Sequence, residues 1–140
     1  MSRVFWDTNL FIYLFEDYGK FSESVAELRQ RMIVRGDQLL TSTVTLGEIL
    51  VKPSEAGMRD LCQRYEDALL RTAVVLPFEV KAARSYGNIR GDRSIRPQDA
   101  MQLACAASSG VDLFVTNDQR LSGKNIPGIQ FIVSIDRVPI

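Results

Sequence analysis

Apolar positions fall into short uninterrupted runs that alternate with segments repeating at the helical period, and clusters rich in Gly, Pro or charge separate them. Residues 4–6, Val-Phe-Trp, form a first β-type run. Residues 9–15 are too uniformly apolar for the period to decide, but are helical by position. Ser22 offers an N-cap for a helix that aligns Val25, Leu28, Met32 and Ile33 and stops at Gly36. A second strand over 39–41 precedes a buried helix over 44–51 that ends before Pro53, and Ser54 caps a longer amphipathic helix carrying Leu61, Tyr65, Ala68 and Leu69. Residues 73–78 read as a third strand and 80–89 as a helix. Pro97 takes the first position of a helix reaching Gly110, and strands over 111–116 and 129–133 complete the pattern. Strands separated by helices imply parallel neighbours joined by right-handed crossovers, hence a three-layer α/β/α sandwich that meets ligands at the carboxyl edge of its five-stranded sheet.

Composition narrows the chemistry. The 140 residues are 46% hydrophobic and 24% charged, as in an ordinary soluble domain, and no repeat or linker divides them, so a single domain over 1–140 is expected. Seventeen basic residues, thirteen of them Arg, balance seventeen acidic ones, so nucleic acid would have to be held by a local patch. There is no His, which removes the usual general base and the commonest transition-metal ligand together. Cys62 and Cys105 lack metal or redox spacing and read as two buried thiols in a reducing compartment. Asp7 interrupts the first apolar run and no stretch is long enough to span a membrane, so a cytoplasmic chain is expected.

The acids are placed where charge is otherwise absent. Composition would put about eight charges in residues 4–15, 43–51 and 97–109 taken together. They hold three, all acidic: Asp7, Glu48 and Asp99. A fourth acid, Asp118, follows the apolar strand ending at Thr116 just as Asp7 follows the first strand. Taken singly, Asp7 and Asp118 can be helix caps, and Asp99 can complement a helix dipole. Glu48 has no Lys or Arg near it in sequence before Lys52. If the four converge, each pair at ~4 Å repels by about 4 kcal/mol at an effective dielectric of 20, and a cation must offset that. An all-oxygen set favours Mg²⁺ or Mn²⁺, whose usual service is phosphoryl chemistry.

These residues resemble the PIN domains, in particular the small ribonuclease toxins called VapC, along the whole chain. The early strand runs into Asp7-Thr8-Asn9. Ser42 stands six residues before Glu48-Ile49, as in the family's Ser-x-x-x-x-x-Glu-Leu. Asp99-Ala100 with Ala104 is similar to its Asp-Ala-x-x-x-Ala helix, and Thr116-Asn117-Asp118 to its Thr-Asn-Asp signature. Residues 119–121, Gln-Arg-Leu, depart from the commoner version with Asp-Phe. The resemblance implies a sheet of order 3-2-1-4-5 and a metal-dependent endoribonuclease. Asp7, Glu48, Asp99 and Asp118 would hold Mg²⁺ or Mn²⁺, supported by Thr8, Asn9 and Thr116. It also implies a homodimer and an antitoxin whose tail inserts Arg or Lys near the acids. Other members of the family serve in RNA maturation instead.

An RNA substrate needs positive charge beside the acids. Arg84, Arg90, Arg93 and Arg96 lead into Asp99, and Arg120 follows Asp118. The same residues would also suit an ordinary solvated loop. The aromatics Phe5, Trp6, Phe11, Tyr13 and Phe15 occupy core-like positions. An aspartate-nucleophile phosphatase would need a second acid where Asn9 stands, and no glycine-rich phosphate loop is present. A non-catalytic module gripping a basic partner stays open as an alternative.

Overall fold

The computed structural model describes residues 1–140. Five strands, β1 (Arg3–Trp6), β2 (Gln38–Ser42), β3 (Val74–Leu76), β4 (Val111–Thr116) and β5 (Ile129–Ser134), form one sheet of order β3-β2-β1-β4-β5. Every neighbouring pair is parallel. This is the three-layer, five-stranded arrangement of order 3-2-1-4-5 that the sequence leads one to expect.

Period-two alternation sorts the strand side chains into two cores. Val4 and Trp6 of β1, Leu39 of β2, and Leu113 and Val115 of β4 pack on one face. They meet α1 (Thr8–Phe15), α2 (Lys20–Arg35), α3 (Thr43–Ile49) and α5 (Arg59–Thr72). Phe5, Leu40 and Phe114 turn to the opposite face, under α6 (Val80–Ile89) and α7 (Pro97–Ser109), where the rings of Phe5 and Phe114 stack with centroids 5.1 Å apart. Because β2 and β4 flank β1 on opposite sides, the crossovers diverge there and leave a crevice outside the carboxyl ends of β1 and β4.

Several local expectations need correction. Ser22 is not the cap of α2: that helix begins at Lys20, and the Ser22 hydroxyl accepts from Tyr18 N–H and donates to the Glu16 carbonyl, bracing the α1–α2 turn. Pro53 does not end the helical region, for it sits in the first turn of a short α4 (Val51–Glu55), where a missing N–H costs nothing. Ser54 therefore lies inside α4, and α5 starts at Arg59 after the left-handed Gly57. Cys105 is buried, but Cys62 is only half-buried. The stop at Gly36 is as expected: with φ at 76° it lets its own N–H and that of Asp37 return to the Ile33 and Met32 carbonyls. No helix is long and apolar enough to cross a membrane.

Candidate functional site

The crevice collects the acids. Asp7 follows β1 directly, and its N–H donates to the Val115 carbonyl at 3.0 Å, tying the end of β1 to the end of β4. Its side chain caps α1: Oδ1 accepts from Thr8 N–H at 2.8 Å, so cap and site are the same residue. Oδ2 accepts from the Thr116 hydroxyl at 2.8 Å, and Thr116 Oγ1 accepts in turn from Asp118 N–H at 3.0 Å. Glu48 reaches in from α3 and accepts from the Thr8 hydroxyl at 2.7 Å. Asp99 stands in the first turn of α7. All four acids, with Thr8, Asn9, Arg96, Gln98 and Gln102, line one hollow of about 220 Å³ that contains no apolar side chain.

Two electrostatic environments divide this hollow. Burial pushes the Asp7 carboxyl up to about 6; the hydrogen bonds from Thr116 and Thr8 hold it back, and the charges of Asp99 and Glu48 raise it further. Asp118 is lowered instead, first by its hydrogen bond from Arg120. Arg120 grips that carboxylate with Nε at 3.0 Å and Nη2 at 2.6 Å, while Arg96 spans Asp99 at 3.3 Å and Asp118 at 3.4 Å. Asp7 and Glu48 thus receive only neutral donors, whereas Asp99 and Asp118 are paired with guanidinium.

The four acids share a hollow, but no three of them stand at metal-ligating separation. The acids that the resemblance implies as metal ligands thus line one hollow without standing at ligating separation, and Arg96 and Arg120 lie on two of them. The donor set still suits a hard divalent cation. It is all oxygen, its lining is wholly polar, and Asp7 is a desolvated carboxyl beside two like charges that a cation would relieve.

A network of neutral polar groups lies beneath the acids. Gln102 is fully buried on α7; its amide nitrogen donates to Thr8 at 2.9 Å and to Thr45 at 2.7 Å, and its oxygen accepts from Ser42. With both amide hydrogens pointing at those hydroxyls, the Thr8 proton is left for Glu48. Thr41 adds to this network through Thr45 and the Trp6 carbonyl. Sequence reasoning missed Gln102, Thr45 and Thr41 because it tracked charges. Counting neutral polar residues inside the same apolar windows would have found Gln102 and Thr45.

The expected RNA-binding arginines separate into distinct groups. Arg96 and Arg120 are engaged with the acids. Arg90 donates to the Ile95 carbonyl at 3.0 Å and so braces its own loop, whereas Arg93 and Arg84 are exposed and pair with no carboxylate. Among the aromatics, Phe5, Trp6 and Phe11 are buried, while Tyr13 and Phe15 are part-buried. The Tyr13 hydroxyl accepts from Asn117 at 2.9 Å, one residue from Asp118.

The family model for the PIN domain matches residues 4–125. No curated protein matches the sequence. Among solved structures, a chain of the Rickettsia felis VapBC2 complex bound to a promoter DNA fragment is 18% identical, with a TM-score of 0.75 over 94% of this chain and 98% of that one. A chain of DNA-bound VapBC from Salmonella typhimurium is 23% identical, with a TM-score of 0.73 over 96% and 99%. A chain of VapBC-5 from Mycobacterium tuberculosis is 20% identical, with a TM-score of 0.60 over 96% and 99%. At these identities the likeness is one of fold.

Proposed function

The chain belongs to the PIN domain family, and on that premise we propose that it is a divalent-cation-dependent endoribonuclease, the toxin of a toxin–antitoxin pair, with its chemistry carried by one domain over 1–140. The observation that carries the reading is the hollow itself: four carboxylates from four separate elements in a wholly polar crevice at the sheet's switch point. Asp7, Glu48, Asp99 and Asp118 would hold Mg²⁺ or Mn²⁺. A divalent ion held by these residues would supply Lewis acidity, polarising a phosphate oxygen and lowering the pKa of a water so that hydroxide becomes available as the nucleophile.

The chain's own groups prepare that chemistry. Thr8 and Thr116 fix the carboxylates of Glu48 and Asp7 by hydroxyl donation, and Asn9 lines the same wall. Arg96 and Arg120 stand at the mouth, within reach of an incoming phosphate, with Arg90 and Arg93 on the approach. An antitoxin is the expected protein partner. The grip of Asp99 and Asp118 on guanidinium groups supports a basic partner segment binding in the same way, and the three complexes compared are themselves toxin–antitoxin assemblies. A homodimer in the cytoplasm completes the reading.

Asp7→Asn removes ligand charge and almost no volume. It should lower Mn²⁺-dependent cleavage of single-stranded RNA by roughly 100-fold or more while leaving the circular dichroism spectrum unchanged. Cleavage retained by a folded D7N protein would overturn the assignment. For the toxin reading, expression of wild type but not of D7N should arrest growth; equal growth would leave a maturation nuclease as the better account.

A further inference from the structure

Asp118 has no oxygen to offer while Arg120 holds it. Oδ1 accepts from Arg120 Nε and from the Arg120 backbone N–H, both at 3.0 Å. Oδ2 accepts from Arg120 Nη2 at 2.6 Å and from Arg96 Nη2 at 3.4 Å. Arg96 also covers Asp99 Oδ2 at 3.3 Å. We propose that Arg120 and Arg96 are displaceable counter-ions of the acid site: they leave Asp118 and Asp99 when the four carboxylates take a divalent cation, and the freed guanidiniums then grip the phosphate of the substrate. The inference rests on the nuclease reading and adds an order to it, cation first and phosphate second.

The geometry makes the exchange easy. Both arginine side chains are more than half exposed, 58% for Arg96 and 57% for Arg120, so they can turn outward without opening the core. Arg120 remains tethered, because its backbone N–H is held in the turn made by Asp118. A released guanidinium therefore stays at the mouth of the hollow, where its fork matches two phosphate oxygens. In this arrangement, with both arginines on the carboxylates, no three of the acids stand at metal-ligating separation.

The test uses the full chain without RNA, with Mn²⁺ affinity read by calorimetry for wild type, R120Q and R93Q. The last removes the same charge from a neighbouring arginine that has no carboxylate partner. R120Q should bind Mn²⁺ roughly tenfold tighter than wild type, in the range typical of coupled sites. R93Q should stay within about twofold, as expected for an exposed charge. Titrating wild type with Mg²⁺ should move the Arg120 Nε–H resonance toward that of a free guanidinium. With Mg²⁺ present, inorganic phosphate should bind wild type about fivefold tighter than R120Q. Equal gains for R120Q and R93Q, an unmoved Arg120 resonance, or equal phosphate affinities would overturn the exchange and leave the nuclease reading standing. Absence of Mn²⁺ binding by every variant would overturn both.

Discussion

Asp7 shows how one residue carries two duties at opposite cost. As the cap of α1 it satisfies a helix N–H, and as a carboxylate in a desolvated corner it resists ionisation, which is why it is pushed up to about 6. The folded value lies above the ordinary 3.8, so the folded chain holds this proton more tightly than the unfolded one. The stabilisation is fully present below about pH 4 and is lost as pH rises through about 6, an interval worth about 3 kcal/mol. Measured in a chelator, the melting temperature of wild type should therefore fall relative to that of Asp7→Asn between pH 4 and 7, because the amide has no proton to lose. Parallel curves for the two proteins would show that Asp7 is not the strained group. Asp7, Glu48 and Asp99 were legible in the sequence because a single charge in an apolar window is conspicuous, and Asp118 because it follows an apolar strand as Asp7 does. Gln102 and Thr45, which orient Glu48 through Thr8, were not, since a neutral amide or hydroxyl does not disturb a charge count. The pairing of Arg96 and Arg120 with Asp99 and Asp118 was equally invisible, for it depends on a fold that brings the loops after β4 and before α7 together.

At the level of elements, period decides what forms and caps decide where it ends. The helix over 80–89 and the strand over 111–116 match their expected bounds because their apolar spacing is uninterrupted. The ends near Ser22, Pro53 and Ser54 were misplaced because local capping rules cannot tell which backbone groups a turn will present. Gly128 marks another such limit. It precedes β5 with φ at 97°, and a Cβ there would stand 2.4 Å from the Ala107 carbonyl oxygen. The clash is with backbone near the end of α7, so nothing flexible can yield. Gly128→Ala should cost roughly 2 kcal/mol or more, combining a strained φ with overpacking. Denaturant unfolding would register this as a lower midpoint at unchanged slope. A midpoint equal to wild type would mean that β5 can shift away from α7 freely.

Over the whole molecule, seventeen positive and seventeen negative charges cancel, so the proposed RNA substrate would meet no general attraction and would have to be held by a few arginines around the hollow. Arg96 and Arg120 are paired with Asp99 and Asp118, which would leave the approach to Arg93 and its exposed neighbours. Arg90, although exposed, also donates to the Ile95 carbonyl, and the Ile95 side chain is buried in the core beneath α7. Two substitutions should therefore separate two roles that a basic cluster in sequence runs together. In a chelator, where the proposed nuclease would leave RNA uncut, Arg93→Ala should leave the melting temperature unchanged and reduce the slope of log affinity against log salt by about 1, the value of one phosphate contact. Arg90→Ala should lower stability by about 1 kcal/mol through the lost hydrogen bond, before any effect on RNA is considered. If Arg93→Ala leaves the salt slope untouched, Arg93 makes no phosphate contact and its charge belongs to an ordinary solvated loop.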